Sequence, residues 1–350
     1  MPLPISMTCN KFIIIVIFSI VTLYFLSINS LSLIANTQQQ TSSSLNQGKV
    51  FVMYAASLVN TFENMLGPSF EKNTGYTYTG EARGSLQIAN MIIDGQRRPD
   101  VFVSASTLPI MKLITNSSFR DSGSKTIPLA QWLVKFASAE IVIAYLPNSH
   151  FYSDLEKARI GEIPWYKILS KQGFKFGRTD PELDPKGYYM IITAKLSNLY
   201  YHDQTIKQKI LGDDRNAKQL FPEETLKTAL ESRQLDAIAA YKHEAIARGL
   251  SYITLPSQIN LANPTYSDFY KKVSYTLHNG QTIYGEPIYF SITIPETVKN
   301  LNGSISFVKF LLSDDGEHIL ESQGLDYIQR LVAEGSIDKL PPPIRNMLRK

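Results

Sequence analysis

Oxygen donors and small residues recur where apolar runs give way to helical patterns. Ala55-Ala56-Ser57-Leu58 follows the run 50–54, and Glu81-Ala82-Arg83-Gly84-Ser85 follows 76–80. Asp184-Pro185-Lys186-Gly187-Tyr188 and Phe221-Pro222-Glu223-Glu224 each pair a helix-starting proline with acids. Tyr241 ends the run 237–241. The first turn of a helix carries unpaired N–H groups and the positive end of the helix dipole, so such junctions attract anions. A serine there can offer its hydroxyl to a ligand or cap its own helix, and for Ser57 or Ser85 alone capping is the plainer use. Two such turns make a shared anion cradle a better reading than either turn alone. Asp184 with Pro185 is a good helix start in its own right, and Glu223 with Glu224 would complement a dipole without any further role.

The elements that must hold these residues alternate short apolar strands with amphipathic helices, an α/β pattern. Strands are expected at 50–54, 76–80, 101–105, 139–145, 174–177, 237–241, 252–255, 272–277 and 288–294. Helices are expected at 86–93, 188–199, 223–232, 304–312 and 316–322, with a further stripe through Leu58, Phe62, Met65, Leu66 and Phe70. In such sheets ligands bind at the carboxyl ends of strands, which is where the four junctions and Tyr241 fall.

The 350 residues are 44% hydrophobic and 19% charged, enough for two cores and unlike a disordered or coiled-coil chain. Lys11 precedes an apolar stretch over 12–28, read as a secretory signal or N-terminal membrane anchor within residues 1–35. Residues 36–49, rich in Gln, Ser and Thr, read as a flexible tether, which puts the body outside the cytoplasm. Residues 1–49 hold Lys11 and Lys49 and no acid, so little of the formal +4 charge remains as a basic surface for nucleic acid. The single cysteine, Cys9, excludes a disulfide framework. His150, His202, His243, His278 and His318 lack ligand spacing, and no Gly-x-Ser-x-Gly, His-Glu-x-x-His or phosphate-loop motif occurs in the body.

The chain resembles the archaeal-type molybdate/tungstate-binding proteins, the extracellular components of ABC importers. The likeness spans most of residues 50–345. It rests on Ala55-Ala56-Ser57-Leu58, Gly84-Ser85, the 99–105 segment Pro-Asp-Val-Phe-Val-Ser-Ala, residues 179–188, Leu235-Asp236 through Tyr241-Lys242, residues 255–261, Thr293-Ile294-Pro295 and the 307–316 segment. The resemblance implies a two-lobed, periplasmic-binding-protein-like (type II) α/β fold, hinged between residues 50–142 with 285–350 and residues 143–284. It implies a monomeric binding protein without cofactor or catalysis, which hands its oxyanion to an ABC permease and ATPase. By the same resemblance Ala56, Ser57 and Ser85 bind the oxyanion from one lobe. Asp184 and the backbone of Pro185 and Lys186 bind it from the other, completed by Glu223 and Tyr241, with Glu224 one residue away. Ala56 stands where the family usually has Gly, and Arg233-Gln234 where it has Gly-Glu. Carboxylates facing an anion make sense only if Asp184 and Glu223 reach the molybdenum or tungsten atom itself, a hard centre able to expand from four to six ligands. The competing readings are a receptor for another oxyanion such as sulfate, an extracellular hydrolase using Ser57 or Ser85, and a tethered sensor ectodomain.

Overall fold

The computed structural model describes residues 48–115, 117–120 and 126–349. The apolar stretch at 12–28, the tether through 47 and Cys9 lie outside the described residues. Two sheets carry the architecture. The larger is ordered Asp326–Gly335, Trp132–Ala139, Ile288–Thr293, Val101–Ser104, Lys49–Ala55, Thr77–Arg83. Its last three strands are mutually parallel, with Val52 opposite Val101 and Gly80, and its first three are antiparallel to their neighbours. The smaller sheet is ordered Ser251–Thr254, Ile141–Tyr145, Ala237–Tyr241, Phe176–Gly177. Helices cover both faces of each. Along Lys49–Ala55, Val50, Val52 and Tyr54 join one apolar cluster and Met53 the opposite one, as a period of two requires. The mixed two-lobed α/β arrangement is that of a type II binding protein.

The strand expected over 139–145 divides at Glu140. Its buried carboxylate accepts from Asn260 Nδ2 at 2.7 Å and pairs with Lys242 Nζ at 2.8 Å, and its carbonyl accepts from Lys242 N at 3.1 Å. Glu140 belongs to neither strand, its carbonyl meeting Lys242 just beyond the pairing of Ile141 with Tyr241, and the chain leaves one sheet and enters the other there. The stripe from Leu58 to Phe70 is helical from Ala56 to Thr74 but passes through a 3-10 turn and a π segment, Phe62–Leu66. Pro68, lacking an N–H, follows directly after Gly67, which opens the next helix, and cannot donate to the regular ladder. The helices expected at 304 and 316 begin earlier, at Leu301 and Asp314, because Asn300 and Ser313 accept from Gly303 N and Gly316 N as caps. The half-exposed edge strand Asp326–Gly335 was unsignalled in the sequence, since its residues do not alternate between apolar and polar. Among the described residues no helix is long and apolar enough to cross a membrane.

Candidate functional site

Each junction singled out above sits at a strand's carboxyl end or a helix's first turn. The turn Ala56–Leu58 follows Lys49–Ala55 directly. The strand before Ser85 runs to Arg83, so Gly84 is the cap and Ser85 opens the helix Ser85–Ile93. Neither serine caps its helix with its side chain. Ser85 Oγ, fully buried, accepts from Ala105 N at 3.1 Å and keeps its proton to donate. Ser57 Oγ is buried with no hydrogen-bond partner among the described residues, and so is Tyr241 Oη. Burial drives the Tyr241 hydroxyl far above its usual range, leaving it a protonated donor. Two buried donors without partners inside the protein are costly unless something else accepts from them.

Asp184 caps the 16-residue helix Pro185–Tyr200. Its Oδ1 accepts from Lys186 N at 2.8 Å and from Thr179 Oγ1 at 3.2 Å, so Oδ2 is the oxygen with spare capacity. Burial raises its pKa, against the pull of the Lys186 ammonium and backbone amide. Gly187 is required beside it, because a Cβ would lie 2.6 Å from Thr179 O and Pro181 N. Glu223 opens the helix Glu223–Glu231 behind Pro222. Of the two neighbouring acids it is Glu223 that is buried, while Glu224 is exposed and lies 4.0 Å from Arg83 across the cleft. Thr179, Asp184, Glu223 and Glu224 from the smaller-sheet lobe line one cleft of about 420 Å³ with Arg83, Gly84 and Gln87 from the larger-sheet lobe. Ser57, Ser85, Lys186 and Tyr241 lie buried around it rather than along that lining.

The two lobes touch across this cleft. Gln87 N donates to Leu183 O at 3.1 Å, and Tyr188 Oη donates to Ser106 Oγ at 2.7 Å. Asn60 Nδ2 donates to Ala247 O. A Cβ on Gly84 would lie 2.4 Å from Leu183 O, so glycine there is what lets the lobes meet.

Residue types and spacing missed a ring of charge. Lys186 Nζ lies 2.5 Å from Glu223 Oε2 and 2.7 Å from Glu244 Oε2. Arg248 closes the ring, with Nη2 3.0 Å from Glu223 Oε1 and Nη1 2.9 Å from Glu244 Oε1. The sequence reading gave Lys186 only its backbone; its side chain is instead fully buried in this ring. The available signal was the spacing of Glu244 and Arg248, four apart just after the strand ending in Tyr241. Burial and the Glu244 carboxylate push Glu223 up, opposed by Lys186 and Arg248. On Glu244 burial acts the same way, but the two cations outweigh it and hold the carboxyl low. Burial pulls Lys186 down, yet Glu223 and Glu244 raise it overall, so it stays charged. His243 stacks on Tyr241 at 5.5 Å between ring centres and meets Phe290 edge-on at 5.2 Å. Burial lowers its pKa to about 3, so the imidazole is neutral near pH 7.

Residues 50–326 match the family described as bacterial extracellular solute-binding protein. A molybdate/tungstate-binding protein of Pyrococcus abyssi is 31% identical over 323 residues, covering 85% of this chain and 90% of its own length. The periplasmic molybdate-binding protein of Azotobacter vinelandii superposes with a TM-score of 0.52 at 17% identity, over 80% of this chain and 98% of that one. The sulfate-binding protein of Mycobacterium tuberculosis does so with 0.53 at 12% identity, over 81% and 88%. These two structures speak for the fold alone. The sequence matches and the two-lobed architecture together show that the chain belongs to the extracellular solute-binding proteins, which are binding proteins rather than enzymes.

Proposed function

We propose that the chain captures molybdate or tungstate between its lobes and presents it to an ABC permease, held at the membrane by its N-terminal apolar segment. The observation that carries this reading is the pair of buried acids, Asp184 and Glu223, lining one cleft among helix N-termini. In a medium of effective dielectric near 20, each unit of ligand charge about 4 Å from a carboxylate would cost about 4 kcal/mol. A buried acid in an anion site is therefore a penalty unless its oxygen bonds the central atom; the penalty is reduced for Glu223 by its pairing with Lys186 and Arg248 and falls chiefly on Asp184. Group-six oxyanions offer such an atom, whereas sulfur and phosphorus do not readily take further ligands. Asp184 Oδ2 has the capacity for that bond. The Ser57, Ser85 and Tyr241 hydroxyls supply donors to the oxo groups, with the amides of Ala56 and Lys186. The relative from Pyrococcus abyssi, named for the same two oxyanions, supports the assignment.

Titration calorimetry with Asp184→Asn and Glu223→Gln tests it. Tungstate affinity is expected to fall at least a hundredfold in Asp184→Asn and by a similar factor in Glu223→Gln. Affinity unchanged in both variants contradicts the reading.

A further inference from the structure

The ring gives the cleft a property that its two proposed metal-facing acids do not supply. Around it, charges alternate: Glu223, Lys186, Glu244, Arg248. Each carboxylate oxygen faces one cation, and the four formal charges sum to zero. Glu244 is wholly buried, its Oε2 accepts from Lys186 Nζ and its Oε1 faces Arg248 Nη1, so it acts on a ligand through Lys186 and Arg248. A carboxylate oxygen has two lone pairs; Glu223 Oε1 uses one on Arg248, while Oε2 lies beside Lys186 Nζ but has no hydrogen-bond partner among the described residues, so Glu223 can still bond a central atom with the ring intact. Asp184 forms no ion pair among the described residues, and the cation that acts on it is the Lys186 ammonium, which the ring already shares between two acids. An incoming dianion therefore meets one uncompensated carboxylate rather than two.

We propose that Lys186, Glu244 and Arg248 set the oxyanion selectivity of the cleft by compensating the charge of Glu223. This rests on the oxyanion reading above. The ring lets Glu223 serve as an oxygen ligand without its full electrostatic penalty. Its net charge acts on sulfate by attraction or repulsion alone, whereas for tungstate the same change is opposed by the altered donor strength of the Glu223 oxygens, which a missing cation strengthens and a missing acid weakens, so the ratio of the two affinities follows the ring's charge. Glu244 and Arg248 are positioning residues in this account. Glu244 keeps both cations in place, since Glu223 alone would have to hold two.

The test measures tungstate affinity by calorimetry, and sulfate affinity by competition, on the full-length chain and three variants. Glu244→Gln leaves the ring with a net positive charge, and sulfate binding is expected to strengthen, lowering the tungstate-to-sulfate affinity ratio at least tenfold. Lys186→Met leaves it net negative, and the ratio is expected to rise at least tenfold. The double variant restores a sum of zero, and its ratio is expected within threefold of the unaltered chain. A structural role alone weakens both ligands in parallel. Ratios within threefold of the unaltered chain in the single variants therefore overturn the proposal, whatever their thermal stability. Should one single variant fail to fold, the other decides, since each moves the ratio in its own direction. An unaltered chain that binds neither tungstate nor molybdate overturns the underlying reading, and this proposal with it. A chain that binds tungstate with an insensitive ratio overturns this proposal only.

Discussion

At the scale of residues, the site depends on polar groups held away from water. His243 is the clearest case for stability. Its folded pKa lies near 3, against about 6.5 for a free imidazole. Above pH 6.5 both folded and unfolded chains carry it neutral, and it adds no pH dependence. Below that, the unfolded chain takes up a proton that the folded chain refuses, so stability is lost as pH falls from about 6.5 towards 3. The slope approaches about 1.4 kcal/mol per pH unit. Urea unfolding at pH 7 and pH 5 should show this loss in the unaltered chain and a smaller loss in His243→Phe, which keeps a ring beside Tyr241 and Phe290. Equal losses in both proteins would remove His243 from the account. Tyr241→Phe is the companion test at the ligand. It removes a hydroxyl with no partner among the described residues, so it should weaken tungstate binding about tenfold while leaving the ligand-free chain no less stable.

At the scale of elements, the decisive feature is how closely the turn before Ser85 approaches the turn before Pro185. Gly84→Ala places a methyl group 2.4 Å from Leu183 O, so the contact between lobes must open. Tungstate affinity should fall at least tenfold, while thermal unfolding without ligand shifts little, because each lobe keeps its own core. A variant with unchanged affinity would show that closure tolerates the displacement. The same junction shows what was readable in advance. Gly-Ser after a strand, Asp-Pro before a helix and Pro-Glu-Glu each mark a helix start by local chemistry alone, and all three form the starts they announce. The ring was not readable as a whole: the spacing of Glu244 and Arg248 is its one local trace, and their meeting with Lys186 and Glu223 joins three separate helices, which no local pattern records. The division at Glu140 was hidden for the same reason: its partner Asn260 lies 120 residues away. The edge strand Asp326–Gly335 escaped because an exposed edge needs no apolar alternation.

At the scale of the molecule, two sheets joined through Glu140 and through the segment before Ile288 suit a hinge between lobes, and ligand bridging them should favour closure. Small-angle scattering should therefore give a smaller radius of gyration with tungstate than without it, and Gly84→Ala should reduce that difference. The central claim, however, concerns a single atom. X-ray absorption at the tungsten edge of the loaded protein counts the oxygen neighbours of the bound metal. The account predicts six, four oxo groups with one oxygen each from Asp184 and Glu223, falling to five in Asp184→Asn. A first shell of four short oxo bonds in the unaltered protein would contradict it.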